Sequence, residues 1–539
     1  MNSISVSSQF PPLPELSGGV AEVLSIAAAR QPDKTAVIYQ GEKITYQRLF
    51  ARAQTISSAL ARVGIIQGDK VGVLFPNHPD FVAAFFAVCG LGATVVPINP
   101  LLKSEEIQHI LHDSDAKALL VHEDTMGEVG SAVNDVPGLE HVFVFAYDPK
   151  GKEINLPLSQ SVRSRVTVTQ FNCSYMSIDG LEDVTSGWTK SLRREEDLAV
   201  LVYTSGTTGK PKGAMLSHHN VLSAVEAAQA VFPVASEDKM LACLPLCHIY
   251  GLSVVMIGMI AKGGTIVIIE KFEAKKALEV MEQERVTILP AVPAMYQFIV
   301  MELNSSVYDL SHLRLCLSGG APLPVEMYDA LARVIKAPLV EGYGLTETSC
   351  ASTLNPVNGK AVKGSVGLPL PGVKVAILGP DGSALPRGSA HVGEIAIKGP
   401  NVMRGYYRRP DTTQEILKDG WLLTGDLGYI DEEGYIFIVG RSKELIIRGG
   451  QNIYPREIEN AIVRMKDVIE AAVVGVPDQY MGERVKAVVV LKPGSEASEQ
   501  DVKDHCAKLL AEYKVPRIVE FVEALPRNST GKVLKRLLV

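Results

Sequence analysis

Strand and helix signals alternate along the first third of this chain, and their spacing restricts the architecture more than any other feature of it. Val71–Phe75 is an apolar run short enough for a buried strand, and Thr94–Ile98 is a second one. Between them Pro79–Cys89 has helical length, with proline at a first-turn position that needs no N–H partner. Ser104 then opens a helix with Glu105 and Glu106 in its first turn, where the helix dipole favours acid, and Ala118–His122 follows as a strand. Strands joined by crossover helices run parallel, because a tight hairpin can only reverse the chain. The alternation resumes after residue 198, with strands at 239–244, 265–270, 286–289 and 313–317. The two stretches share no sequence repeat. Between them, 148–192 is polar and aperiodic and reads as a surface excursion.

From about 365 to 440 short apolar runs (Val373–Leu378, Glu394–Ile397, Tyr435–Val439) alternate with Pro-Gly, Asp-Gly and Glu-Gly turns, the mark of a small β-rich unit. After Gly440, strands at 470–476, 484–492 and 518–523 and a helix at 498–512 suggest a compact α+β unit. The expected fold is therefore α/β. A large N-terminal domain, 1–440, comprises two alternating α/β subdomains plus a small β-barrel-like unit, and a small α+β domain occupies 441–539.

Net charge is −7, which supplies no basic footprint for nucleic acid. Seven cysteines, an odd number in a chain of this length, do not form a disulfide framework. Cys243, Cys247 and His248 cluster, but without a second pair they read as lining an apolar element rather than holding a metal. The N-terminal MNSISVSSQFPPLPELSGG lacks a basic segment and an apolar segment, so it reads as a polar lead-in rather than a signal peptide. Tyr250–Ile260 is the most apolar stretch and is too short to span a bilayer. A cytoplasmic protein is the expectation, with monomer and homodimer both open.

The chemistry concentrates at residues 204–213, TSGTTGKPKG, directly after the apolar run Leu198–Tyr203. Glycines allow consecutive backbone N–H groups to converge on an oxyanion, hydroxyls add neutral donors, and Lys210 and Lys212 add charge. This is not a Walker loop, since Pro211 and Ala214, five residues after Gly206 and Gly209, stand where its second glycine would be required. A phosphate held here is held by another device. The plain alternative is a surface turn, and the density of small and hydroxylated residues followed by two lysines weighs against it.

The stretch resembles, nearly letter for letter, the phosphate loop of the adenylate-forming superfamily, which includes acyl- and aryl-CoA synthetases, luciferases and peptide-synthetase adenylation domains. The resemblance continues in order through LPLCHIYGL (244–252), SGGAPL (318–323), EGYGLTE (341–347), GEIAIKGPNVMRGYY (393–407), TGD (424–426), GRSKELIIRGGQNIYPREIE (440–459) and PRNSTGKVLKR (526–536). It implies that a carboxylate attacks the α-phosphorus of ATP to give acyl-AMP and pyrophosphate, after which a thiol, here of CoA, displaces AMP.

Carried over motif by motif, the resemblance implies that Thr204, Ser205, Gly206, Thr207, Thr208, Gly209, Lys210 and Lys212 hold the β- and γ-phosphates. It makes Glu347 the ligand of Mg²⁺, a hard ion that prefers carboxylate and phosphate oxygens. Glu341, Gly342, Tyr343 and Gly344 would flank adenine, with Tyr343 stacked on it and the glycines allowing close approach. Gly320, Ala321 and Thr346 complete the nucleotide pocket. Asp426 would accept both ribose hydroxyls, and Arg441 would donate to the same sugar. Lys532 would be the catalytic lysine, bridging substrate carboxylate and α-phosphate from the C-terminal lid. Lys443 falls at the hinge on which that lid turns between half-reactions, and Gly449 and Gly450 would then line the pantetheine tunnel. His248 would sit by the acyl carboxylate, in a pocket shared with Ile249, Tyr250, Gly319 and Gly342. Taken singly, most of these residues have an ordinary structural reading, and it is the ordered series that favours function.

LPLCHIYGL contains no acid, so a buried substrate ammonium would lack a counter-ion and the acid should carry no α-amino group. A medium or long aliphatic acid, or an aryl acid, is the expected substrate. An acyl carrier protein acting in trans is an alternative to CoA. A luciferase-like oxygenase is a further alternative, disfavoured because Ile447 stands where luciferases use a lysine.

Overall fold

A helix with no polar face has to be covered all round, and every residue of Pro79–Leu91 from Pro79 to Gly90 is buried. The computed structural model describes residues 19–147, 166–174, 177–178, 188, 196–204, 210–527 and 533–539. In it this helix sits within one continuous apolar core that includes Val71 of an eight-stranded sheet, Ile266 of a nine-stranded sheet and Ile395 of a smaller third sheet. Fully burying a side chain such as Phe85 or Phe86 contributes about 1.5–3 kcal/mol, so this shared core welds the three sheets into one large region.

The eight-stranded sheet runs in the order Lys212–Ser217, Leu198–Thr204, Thr94–Ile98, Lys70–Leu74, Ala116–His122, His141–Ala146, Thr167–Ser174, Ser177–Ile178. Its interior pairings are parallel and its two outermost are antiparallel. The nine-stranded sheet is parallel from Leu339–Tyr343 through Leu315–Ser318, Ile288–Ala291, Lys239–Ala242 and Thr265–Ile268 to Thr35–Tyr39. The doubly covered α/β expectation therefore holds for both.

Several boundaries differ from the sequence reading for identifiable reasons. The polar stretch 148–192 is not all excursion: Thr167–Ser174 continues the first sheet parallel to His141–Ala146, and Phe171 stacks against Phe143 with ring centroids 5.5 Å apart. Trp188 fills the space beside Gly90, where a Cβ would lie 2.5 Å or less from the indole. Ser104 is inside its helix rather than capping it, and its hydroxyl donates to Glu128 at 2.7 Å.

The third sheet is antiparallel and five-stranded, built from Lys374–Leu378, Gly393–Lys398, Trp421–Ile430, Leu417–Lys418 and Ile436–Arg441, with an open ladder. The fourth contains Ile446–Arg448, Gln451–Ile453, Val468–Asp478, Gly482–Leu491 and Ile518–Phe521, covered by helices Pro455–Val463 and Glu499–Leu509. Its cores, around Ile458, Val485 and Cys506 and around Val474, Val488 and Leu538, are separate from the large one. Among the described residues no helix is long and apolar enough to cross a membrane.

Candidate active site

Strand ends and loops from three sheets converge where the motifs meet. Thr204 pairs with Lys212, where the two antiparallel strands Leu198–Thr204 and Lys212–Ser217 meet. A strand, not a helix, follows the loop, which agrees with Pro211 and with the absence of a Walker motif. Ser205, Gly206, Thr207, Thr208 and Gly209 lie outside the described residues. Lys210 is exposed, while Lys212 holds its ammonium 5.3 Å from the Tyr406 ring centroid. The hydroxyl of Tyr406 donates to Glu347 Oε1 at 2.6 Å, so Lys212, Tyr406 and Glu347 form one wall.

The segment carrying Tyr406 is strapped to the strand Lys212–Ser217 by backbone bonds: Met215 N to Gly405 O (2.9 Å), Arg404 N to Met215 O (2.9 Å) and Tyr407 N to Gly213 O (2.8 Å). Asn401, 1% exposed, donates to the carbonyls of Thr348 and Ala351 and so braces the turn after Glu347. That turn needs bracing, since Ser349 and Cys350 have φ of 54° and 104°, a region side chains resist. Tyr406 and Asn401 were visible in GPNVMRGYY only as motif letters. Their roles require knowing that residue 406 folds against residue 347.

A second wall lies at the end of Leu339–Tyr343. The Tyr343 hydroxyl donates to Asp426 Oδ2 at 2.6 Å, and Arg441 Nε stands 3.1 Å from Oδ1. Asp426 and Arg441 are register partners across Trp421–Ile430 and Ile436–Arg441, which explains why two motifs 15 positions apart share one carboxylate. Burial, and then the Asp426 charge, hold the Tyr343 phenol far above its ordinary pKa, so it remains a donor.

The glycines have a more local reason than ligand approach. At Gly342 a Cβ would come within 3.0 Å of Thr353 O, and at Gly344 it would overlap the Cys350 carbonyl. Glu341 does not present its carboxylate to the pocket: 1% exposed, it accepts from Leu323 N (3.2 Å) and the Tyr328 hydroxyl (3.1 Å). Thr346 is half-buried in the short 3₁₀ turn that also carries Glu347, and Gly320 and Ala321 are exposed at the mouth.

Burial raises the Glu341 carboxyl to about 7, opposed by Arg456 and its two hydrogen bonds. An acid with a raised folded pKa contributes stability below its unfolded pKa, about 4.3, and loses it as pH rises through the folded value. Glu341→Gln is therefore expected to flatten the decline in the urea midpoint between about pH 5 and 7.5. An identical decline in variant and parent would show that Glu341 is not the titrating group.

The third wall surrounds His248. Asn77, 7% exposed, donates through Nδ2 to the carbonyls of Leu244 (2.9 Å), Ile269 (3.2 Å) and Ala242 (3.3 Å), and its Oδ1 accepts from Leu246 N (2.8 Å). This single side chain staples the first sheet to the loop bearing His248. Burial pushes the His248 imidazole down to about 4, so it is neutral at physiological pH.

Ile249 is buried, and Tyr250 begins a π-helix, Tyr250–Ile257, a wide coil found mostly at functional sites. The Tyr250 hydroxyl donates to Leu317 O at 3.2 Å, and its ring leaves only 3.3 Å for a Cβ at Gly319. Cys243 and Cys247 are buried free thiols pushed up to about 12, and no metal-ligating cluster occurs among the described residues.

Not everything converges. Gly449 and Gly450 form an exposed turn with φ of 58° and 79°, and Lys443 is exposed in the turn Ser442–Glu444. Lys532 lies outside the described residues, between the bridge partners Arg527 and Val533. Lys535, which the sequence reading passed over, pairs with Glu444 (3.0 Å) and Glu459 (2.7 Å), tying the C-terminal segment to the connection after Arg441.

A family model for an AMP-binding enzyme matches residues 24–407, and one for the AMP-binding enzyme C-terminal domain matches 457–532. The long-chain-fatty-acid–CoA ligase of Bacillus subtilis (strain 168) is 37% identical over 98% of this chain and 95% of its own. A feruloyl-CoA synthase from Amycolatopsis is 36% identical over 94% of this chain and 96% of its own. ATP-bound MatB from Rhodopseudomonas palustris is 32% identical and covers 96% of this chain and 98% of its own with a TM-score of 0.84, against 0.75 for the apo form of the same protein. The chain therefore belongs to the AMP-binding enzyme family, and within it to the AMP-forming acyl-CoA synthetases.

Proposed function

We propose that the enzyme activates a medium- or long-chain fatty acid or an aryl acid lacking an α-amino group, as acyl-AMP, and hands the acyl group to CoA. The support for this substrate class is the acid-free, apolar setting of His248 together with the likeness to fatty-acid and feruloyl ligases. The observation that carries the nucleotide reading is the Tyr343–Asp426–Arg441 constellation, an acceptor-only carboxylate between two donors within reach of one sugar.

In this reading Asp426 accepts the ribose hydroxyls and Arg441 donates to the sugar. Tyr343 stacks on adenine, and residues 204–212 receive the β- and γ-phosphates. The neutral His248 orients the substrate carboxylate by hydrogen bonding rather than by charge. Lys532 then meets the negative charge that builds at the α-phosphorus. Residues 441–539 are the moving lid and Lys443 its hinge, and on rotation Gly449 and Gly450 line the path of the pantetheine thiol.

Mg²⁺ fits the wall at Glu347. With no all-protein cage among the described residues, one carboxylate oriented by Tyr406 plus phosphate oxygens is the donor set this ion ordinarily accepts. When bound it would neutralise phosphate charge and leave the α-phosphorus open to attack. The free thiols and the two soluble co-substrates, ATP and CoA, favour a reducing, cytoplasmic setting. A carrier-protein thiol remains the second acceptor, with no specific observation in its favour.

The experiment is ATP–pyrophosphate exchange across a panel of acids, with and without CoA. Exchange with some acids, and thioester only when CoA is present, is expected. Release of ADP and orthophosphate, or no exchange with any acid, would overturn the proposal.

A further inference from the structure

Helix Pro455–Val463 belongs to the small fourth-sheet region, yet its second residue, Arg456, reaches out of it. The Arg456 guanidinium donates through Nη1 to the carbonyl of Ile438 at 2.7 Å. Ile438 lies on Ile436–Arg441, the strand paired with the one that carries Asp426. Glu341, Glu459 and Asp426 are the carboxylates whose charges act on the guanidinium. Glu459 is on its own helix and is already engaged by Val473 N (2.9 Å) and Lys535 (2.7 Å), whereas Glu341 and Asp426 belong to the large region, bonded there by Tyr328 and Tyr343.

Two further contacts bind the same helix end to end across the same boundary. Tyr454 packs beside Gly440, where a Cβ would lie 3.8 Å from the ring, and Arg464 Nε pairs with Glu326 at 3.2 Å. The latter pair is exposed, so solvent screening leaves it little weight. Arg456 is the partly buried charged contact, hydrogen-bonded to the strand paired with the one that carries Asp426.

Resting on the reading that Asp426 holds ribose and that the lid turns at Lys443, we infer that Arg456 is a positioning residue that seats the lid for the first half-reaction. Its partners are Ile438 O, fixed in the large region, and the combined negative field of Glu341 and Asp426. Both are lost when helix Pro455–Val463 swings away. A contact present in only one of two lid positions shifts their balance by its own free energy and leaves the other position untouched. A planar guanidinium suits the task, because it can keep a fixed hydrogen bond to a carbonyl while its remaining donors face carboxylates. Asp426 thereby serves twice, once for the nucleotide and once as part of the surface that the lid recognises.

The test compares Arg456→Ala and Arg456→Lys with the parent, as full-length enzymes. Pyrophosphate exchange should fall about tenfold in Ala and less in Lys, a typical coupling for one charged contact. Single-turnover conversion of supplied acyl-AMP and CoA to thioester should be unchanged or faster. Small-angle scattering in saturating ATP, which needs no turnover, should show the Ala variant more extended than the parent. Equal loss of both half-reactions would mark a merely structural residue and overturn the inference, as would no change in exchange or in scattering. A parent that scatters as a compact particle with ATP yet exchanges no pyrophosphate would count against the proposed acid activation. The lid inference would then stand or fall on the scattering of the Ala variant alone.

Discussion

Replacing Lys532 by alanine is expected to lower pyrophosphate exchange by roughly two to three orders of magnitude, the scale seen when a preorganised charge at a developing oxyanion is removed. The first half-reaction brings a carboxylate anion onto a phosphorus already surrounded by anionic oxygens. A cation placed between them beforehand stabilises the transition state more than either ground state. In the second half-reaction the thiol attacks the acyl carbon and AMP leaves with the electron pair, and in the proposed reading the lid has by then carried Lys532 away, so thioester formation from supplied acyl-AMP should stay within about twofold.

The substitution should also spare the fold. The described residues on either side of Lys532 are anchored by the bridge between Arg527 and Val533 and by Leu525 and Leu538 in their apolar cluster. Equal loss of both half-reactions, with unfolding unchanged, would remove Lys532 from the role assigned to it.

Lys532, carried by a motif, and Glu341, whose burial only the fold produces, draw on different depths of the sequence. Thr94–Ile98 was legible to the residue, because a strand buried on both faces has nothing but its apolar run to mark its ends. The run 239–244 misled at its end: the strand stops at Ala242, whose carbonyl still accepts from Ile269 N, while the Leu244 carbonyl two residues on bonds to the Asn77 side chain. No periodicity announces a bond between residues 77 and 244. Thr167–Ser174 was missed for another reason, an outlying strand whose polar residues mask the alternation, although Phe171 reaches the core.

Of the site, the ordered motifs place Asp426 and Arg441 on one sugar and Tyr343 on the adenine, and in the structure these three side chains meet. What the motifs could not convey is how the residues between them are used. Glu341 reads as a ligand contact but spends its carboxylate on Leu323 and Tyr328. Gly344 reads as room for a ligand and is required by the Cys350 carbonyl. Arg456 carries no signal at all, because its meaning depends on a strand 18 residues upstream in a different sheet.

Asp426→Ala is expected to raise the KM for ATP by roughly a hundredfold or more, with a smaller fall in kcat. The carboxylate is 4% exposed and is held from both sides, by the Tyr343 hydroxyl at 2.6 Å and by Arg441 at 3.1 Å. In the proposed reading, removing it deletes the acceptor for two ribose hydroxyls, each a charge-assisted hydrogen bond of about 1.5–3 kcal/mol. It also leaves a buried phenol and a guanidinium without their shared partner, a further cost that falls on the empty enzyme. Ground-state affinity and not chemistry should bear the loss, since the sugar does not react.

Asp426→Asn separates the two effects, keeping the shape and one acceptor oxygen while removing the charge, and should fall between parent and alanine. The sharper control is the nucleotide itself. The parent should discriminate strongly between ATP and its 2′,3′-dideoxy analogue, and the alanine variant should treat the two nearly alike, because the hydroxyls no longer have anything to meet. If the variant discriminates as the parent does, the ribose is recognised elsewhere, and the Tyr343–Asp426–Arg441 cluster is a brace between the second and third sheets rather than a wall of the nucleotide pocket.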